Sequence, residues 1–241
     1  MNIKTYKTEK EFDTAVAWEM VAQIVKKPNS VIGLATGNTT ENIHHTVANI
    51  WRDYPFDISQ VIFYAADEVE MVPPDSRVSC IFDLNEALFI PCNIPREHIV
   101  IPATIADDYD REAAEFDRRL KGIGESDMQI LGIGPDGHIA MNLPHGAFDS
   151  PTRFTALSGE LHQRILNEGQ FPADKELGGI TIGIKPIMNM PRVLLAAKGE
   201  RKAAIIKAAV TGPVTEETPA SILQLHPNVD VFLDEAAASQ L

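Results

Sequence analysis

The chain has 241 residues, 44% hydrophobic and 23% charged, with a formal net charge of −13. That size suits one large α/β domain with an ample core, and the acidic balance excludes nucleic acid or an anionic membrane surface as the expected main partner. Cys80 and Cys92 form no CxxC motif, the opening Met1-Asn2-Ile3-Lys4 lacks a signal-peptide core, and no apolar run is long enough to span a bilayer, so a cytoplasmic protein is expected.

No repeat, low-complexity tract or linker divides the sequence, so one domain over residues 1–241 is expected. In chain order, Phe12, Val16, Met20 and Ile24 recur at helical spacing and predict a helix over Glu9–Val25. Ser30–Leu34 is a short apolar run, and Thr39–Ile50 follows as a helix with Thr39 or Thr40 available as its cap. Val61–Tyr64 is the next strand and ends in Ala65-Ala66-Asp67-Glu68. Ser76–Leu88 and Asp107–Gly122 read as helices, and Met128–Leu131 as a strand ending in Gly132-Ile133-Gly134. Gly179–Ile184 reads as extended and Arg192–Ala197 as a strong strand. A helix over Glu200–Val210 and a last strand over Val229–Leu233 complete the set. Alternating strands and helices predict an α/β fold with an open, mostly parallel sheet.

The unusual residues fall directly after strands: Thr36–Thr39, Asp67–Glu68, Gly134–His138 and Lys198–Lys202. Ligands of open parallel sheets bind at the carboxyl ends of the strands, so four segments are expected to converge on one rim. Thr36-Gly37-Asn38-Thr39 has the form of an anion-binding turn. A glycine permits an unusual backbone, free N–H groups and the positive dipole end follow, and two hydroxyls lie beside them. No Gly-Lys-Ser/Thr follows, so this is no triphosphate loop. An ordinary capped helix is the competing reading, as a solvated surface residue is for Lys202, which could otherwise supply charge to a phosphate. Asp67 and Glu68 are either cap-like loop residues or acid–base groups. Asp136 and His138 lie two apart on a Gly-rich loop, close enough to share a site, or form a Pro-Asp-Gly turn with an incidental histidine. Gly132–Gly137 matches GxGxxG literally, but Pro144 and Gly146 interrupt any following helix and no acidic residue stands at the ribose position. The seven histidines show no zinc spacing.

Taken together, Gly33-Leu34-Ala35-Thr36-Gly37-Asn38-Thr39, Ala66-Asp67-Glu68, Leu131-Gly132-Ile133-Gly134-Pro135-Asp136-Gly137-His138-Ile139-Ala140-Met141-Asn142, Lys198–Ala203 and Ser221–Pro227 make the chain resemble the glucosamine-6-phosphate deaminase/isomerase family, in a superfamily shared with 6-phosphogluconolactonase. The resemblance implies a Rossmann-like sheet with helices on both faces, no metal, no organic cofactor, and a monomer or small homo-oligomer acting on a small-molecule sugar phosphate. It assigns the phosphate to Thr36, Gly37, Asn38, Thr39 and Lys202. Asp67 becomes the base that moves a proton from C2 toward C1, and His138, oriented by Asp136, handles the ring oxygen. The activity implied is an amino-sugar 6-phosphate deaminase/isomerase of the hydrolase class, on the gluco or galacto epimer. A lactonase-type hydrolase, or a sugar-phosphate-binding protein without turnover, is the alternative. Thr40 stands where the family has proline and Val69 where it has tyrosine. Leu143 stands where deaminases carry the glutamate of an Asp–His–Glu triad, which leaves Asp136 alone to orient the histidine.

Overall fold

The computed structural model describes residues 1–241. Seven strands form one parallel sheet: β1 (Asn2–Tyr6), β2 (Val31–Leu34), β3 (Ile62–Ala65), β5 (Ile99–Val100), β6 (Met128–Gly132), β9 (Val193–Ala197) and β10 (Val229–Asp234). Their spatial order is β1-β10-β9-β6-β2-β3-β5. A smaller antiparallel sheet of order β4-β8-β7 joins β4 (Asp67–Glu70), β7 (Arg153–Ala156) and β8 (Gly178–Thr181). The helices are α1 (Glu9–Lys26), α2 (Glu41–Asp53), α3 (Cys80–Leu84), α4 (Tyr109–Gly122), α5 (Gly159–Glu168), α6 (Ile184–Met188) and α7 (Ala203–Thr211).

The parallel strands are apolar on both faces because helices cover both. Along β9, Leu194 and Ala196 enter one core cluster, and Val193, Leu195 and Ala197 enter the other. This is the alternation that a pleated strand imposes. On the first side Phe12, Met20 and Ile24 of α1 are fully buried. Helix α1 is started by Thr8, whose hydroxyl accepts from the Glu11 amide at 3.1 Å, while Glu11 accepts from the Lys7 amide at 3.0 Å. A third cluster, including Val69, Met141 and Leu161, lies under the small sheet.

Two expectations change. Asp67 and Glu68 do not end the preceding strand. The chain bends at Ala66, and both residues open β4, where they pair with Thr181 and Ile180 of β8. The helix expected over Ser76–Leu88 starts four residues later, at Cys80, because Ser79 takes the N-cap and its side chain accepts from the Phe82 amide at 3.3 Å. From Asn85 to Phe89 it continues as a π-helical turn. No helix is long and apolar enough to cross a membrane.

The chain leaves β2 outward to β3 and β5, then returns on the other side of β2 as β6. A crevice therefore opens between the carboxyl ends of β2 and β6, the switch point where such sheets bind ligands. The segments that follow β9, β6, β2 and β3 lie side by side along this rim, and they carry Lys202, His138, Thr36–Thr39 and Asp67 in that order, Asp67 as the first residue of β4.

Glu70, at the far end of β4, is fully buried and both of its carboxyl oxygens lack a partner. Burial, with Glu68 and Glu112 nearby, pushes its carboxyl from 4.5 up to about 9. The folded chain thus holds a proton that the unfolded chain releases. Stability from this site is complete below pH 4.5 and is lost progressively as pH rises toward 9. At pH 7 the loss is about 3 kcal/mol, at about 1.4 kcal/mol per pH unit. Glu70→Gln is expected to raise the urea midpoint at pH 7 and to leave it nearly unchanged at pH 4.5; equal effects at both values would contradict this assignment.

Candidate active site

Gly37 sits at a φ of +99°, and its carbonyl accepts the amides of Thr40 (3.0 Å) and Glu41 (3.1 Å). Thr40 occupies the cap position of α2 but makes no cap bond. Its hydroxyl reaches back instead to the carbonyls of Ala35 (2.9 Å) and Gly37 (3.3 Å) and ties the loop from below. The amides of Gly37, Asn38 and Thr39 donate to nothing within the protein, at the positive end of a 13-residue helix. Two cations face them. A Cβ on Gly37 would lie 3.9 Å from Arg164 Nη1, so the α5 guanidinium stands over the turn. Lys202, at the start of the helical segment after β9, donates to the Ile133 carbonyl at 2.7 Å. Burial lowers the Lys202 ammonium pKa and Arg164 lowers it further, while Asp136 and Glu160 oppose the change. A half-buried ammonium, an exposed guanidinium and three free amides make a seat for a dianion.

Across a cavity of 520 Å³ from this turn are Asp67 and His138. Asp67 is 8% exposed, and burial pushes its carboxyl up to about 6, against the opposing pull of His138, the Cys80 thiol and Arg164. Glu68, one residue on, faces away from Asp67. Its carboxylate accepts the amides of Cys80 (2.6 Å), Ile81 (2.9 Å) and Val69 (2.8 Å), so it caps α3. Of this acidic pair, Glu68 takes the cap role and Asp67 is left on the cavity wall.

His138 Nδ1 lies 2.6 Å from Asp136 Oδ1, which also accepts the His138 amide at 3.2 Å. Asp136 stands behind the ring and does not line the cavity, whereas the imidazole does. Burial works to raise the Asp136 pKa, but the hydrogen bond and charge of His138 outweigh it and hold the carboxyl below its usual range. The ring lies directly on Gly134, where any Cβ would fall 2.1 Å from His138 Cε1. The Gly137 carbonyl accepts the Ala220 amide at 2.9 Å, so the segment before Pro227 buttresses this loop.

All the residues singled out from sequence therefore meet here: Thr36, Gly37, Asn38, Thr39, Lys202, Asp67 and His138 on the cavity wall, and Asp136 one bond behind. The two arginines left open separate. Arg164 lines the cavity, while Arg153 donates to Asn142 Oδ1 at 2.9 Å, whose amide in turn spans the carbonyls of Ile139 and Ile182. Leu143 packs against the third apolar cluster and the backbone turns outward at exposed His145, so neither enters the cavity. Cys80, which drew notice from sequence only as an unpaired thiol, also lines the cavity.

Truncating Arg164 to alanine is expected to lower kcat/KM for a phosphorylated substrate tenfold to a hundredfold, on the order of 1.5–3 kcal/mol for one charge-assisted contact. The loss should lie mainly in KM, as measured by steady-state kinetics against substrate concentration. An unchanged KM would remove Arg164 from the anion seat.

Residues 7–232 match the family model described as glucosamine-6-phosphate isomerases/6-phosphogluconolactonase. Among curated proteins, the glucosamine-6-phosphate deaminase of Halothermothrix orenii is 33% identical over 241 residues, covering 100% of both chains. That of Lachnoclostridium phytofermentans is 37% identical over 211 residues, 88% of this chain and 89% of its own. The structure of a monomeric glucosamine-6-phosphate deaminase superposes with a TM-score of 0.94 at 29% identity over 100% of both chains. A Thermotoga maritima 6-phosphogluconolactonase shares the fold, with a TM-score of 0.77 at 20% identity over 97% of this chain and 99% of that one. The relatives' names speak for deamination and do not carry the hydrolase class expected from the motifs.

Proposed function

Because the chain belongs to the family of glucosamine-6-phosphate isomerases and 6-phosphogluconolactonases, we propose that it converts glucosamine 6-phosphate and water to a ketose 6-phosphate and ammonia. The observation that carries this reading is the sharing of one cavity by an anion seat, a buried carboxylate and a carboxylate-backed imidazole. An aldose–ketose shift needs these three parts: an anchor remote from the reaction, a base at C2, and an acid–base group at the ring oxygen.

The amides of Gly37, Asn38 and Thr39, the Thr36 and Thr39 hydroxyls, Lys202 and Arg164 hold the phosphate. His138 exchanges a proton with the ring oxygen as the pyranose opens, and Asp136 fixes the ring and stabilises its charged form. Asp67 then takes the C2 proton from the open aldehyde and returns it at C1, while the C1 oxygen takes up the proton that the substrate's ammonium gives up. The C2–N bond becomes an iminium, water adds at C2, and ammonia departs. Nothing in this sequence calls on a metal or an organic cofactor.

Leu143 favours weighing the lactonase reading beside this one, since the triad glutamate is replaced. One assay panel separates them: the purified chain against glucosamine 6-phosphate, galactosamine 6-phosphate and 6-phosphogluconolactone, with ammonia and acid release recorded. Ammonia from glucosamine 6-phosphate supports the deaminase, and ammonia from the galacto compound alone would change the epimer. Lactone hydrolysis without ammonia from either amino sugar would overturn the reading, and so would binding without any turnover.

A further inference from the structure

We propose that Cys80 is a positioning residue that tunes the base Asp67 and links it, through Thr36, to the phosphate loop. The inference deepens the deaminase reading of this cavity and rests on it. The Thr36 hydroxyl donates to Cys80 Sγ at 3.1 Å, and the Cys80 thiol donates to Asp67 Oδ1 at 3.7 Å. Three segments distant in the chain, the loop after β2, the start of α3 and the start of β4, are thereby joined in one line.

The line is built rather than incidental. Cys80 is the first residue of α3, and the Glu68 carboxylate grips the amides of Cys80 and Ile81. Glu68 and Asp67 are neighbours on one strand and point to opposite faces. The strand that carries the base therefore also fixes the helix that presents the thiol to it. Cys80 is 4% exposed, and burial together with Glu68 and Asp67 raises its pKa well above the usual thiol value. It stays protonated and acts as a donor, neither a nucleophile nor a competing base. The other ionisable groups facing Asp67 are His138 from the loop after β6 and Arg164 from α5, with Glu68 adjacent on its own strand.

The consequence is a base that responds to its substrate. With the loop free, the Thr36 hydroxyl polarises the thiol toward Asp67 and stabilises the carboxylate. A phosphate that takes the Thr36 hydroxyl bond removes this support, the thiol becomes a weaker donor, and Asp67 becomes more basic. Asp67 then gains strength as a base when the sugar phosphate is seated.

The test is to titrate the Asp67 side-chain carboxyl by carbon-13 NMR in the full chain, with and without inorganic phosphate, in the wild type, Cys80→Ala, Cys80→Ser and Thr36→Val. Loss of the donor in Cys80→Ala is expected to raise the midpoint by roughly half a pH unit or more. Cys80→Ser, which keeps a donor, should hold it near the wild-type value. Thr36→Val should give a smaller rise of the same sign and offers an independent reading where Cys80→Ala does not fold. Phosphate should raise the midpoint more in the wild type than in Cys80→Ala, because its field acts in both but the relay in only one. The acid limb of kcat/KM should move with these midpoints. Equal midpoints in wild type and Cys80→Ala, or a rise with Cys80→Ser as large as with alanine, would overturn the proposal. Failure of the wild type to release ammonia would instead overturn the deaminase reading, and the titration would still decide the relay.

Discussion

Asp67→Asn is expected to abolish deamination, with kcat down by roughly 10³–10⁴-fold, the upper range for removal of a positioned general base. Asparagine is nearly isosteric, so the β4–β8 pairing through Asp67 and Thr181 persists and the fold should be intact by circular dichroism. The loss belongs to proton transfer alone. Recovered substrate from the variant should show no exchange of the C2 hydrogen with deuterated solvent, whereas the wild type exchanges it whenever the enolamine partitions back. The pH dependence follows from the same burial. In the proposed role Asp67 works as a carboxylate, and burial pushes its pKa up to about 6 in the free protein. Free-protein kcat/KM is therefore expected to be flat above pH 7 and to fall tenfold per unit below about 6, as the carboxyl takes up a proton. An acid limb centred near 4, the ordinary carboxylate range, would mean that Asp67 is not the group observed, and residual activity above a few per cent in Asp67→Asn would remove it from the base role.

Much of this site could be read from the order of residues because its parts sit where an α/β sheet must put ligands. Val31–Leu34, Met128–Gly132 and Val193–Ala197 are largely apolar runs of the kind a doubly covered parallel strand takes, and each meets a polar or glycine residue within two positions of its end. Helix α1 declared itself by four apolar residues at a 3.6-residue period and met expectation to within one residue. Of the small sheet, β8 showed in the extended reading of Gly179–Ile184, but β4 stayed hidden for an opposite reason. Asp67-Glu68-Val69-Glu70 is three-quarters acidic, and acidic residues are depleted in strands, yet all four are buried and paired in β4. A tertiary requirement overrides propensity here: one carboxylate serves the cavity, one caps α3, and one is held as a buried acid. Arg153 and Arg164 could not be told apart because their difference is one of direction. Helix α5, whose Leu161, Ile165 and Leu166 mark an inward stripe, turns Arg164 to the cavity, while Arg153 on β7 faces Asn142. The relay through Cys80 joins residues 36, 67 and 80 and left no local signal at all.

Asp136→Asn should slow a different step. The carboxylate 2.6 Å from His138 Nδ1 selects the ring tautomer and stabilises the charged imidazole, and with Leu143 packed away from the cavity no second carboxylate shares that work. An amide keeps the shape but carries no charge and can offer an N–H where the ring requires an acceptor. The expected loss in kcat is about 10²–10³-fold, and His138→Ala should lose at least as much. The isotope effect identifies the step. If C2 proton removal limits the wild type, a 2-deuterated substrate reacts more slowly. In Asp136→Asn, ring opening becomes limiting and the isotope effect should collapse toward unity. Asp67→Glu, which misplaces the base but leaves His138 and Asp136 untouched, should retain or enlarge it. A full isotope effect in Asp136→Asn would place the Asp136–His138 pair at the C2 proton transfer instead of at the ring oxygen, and the division of labour between the two sides of the cavity would have to be redrawn.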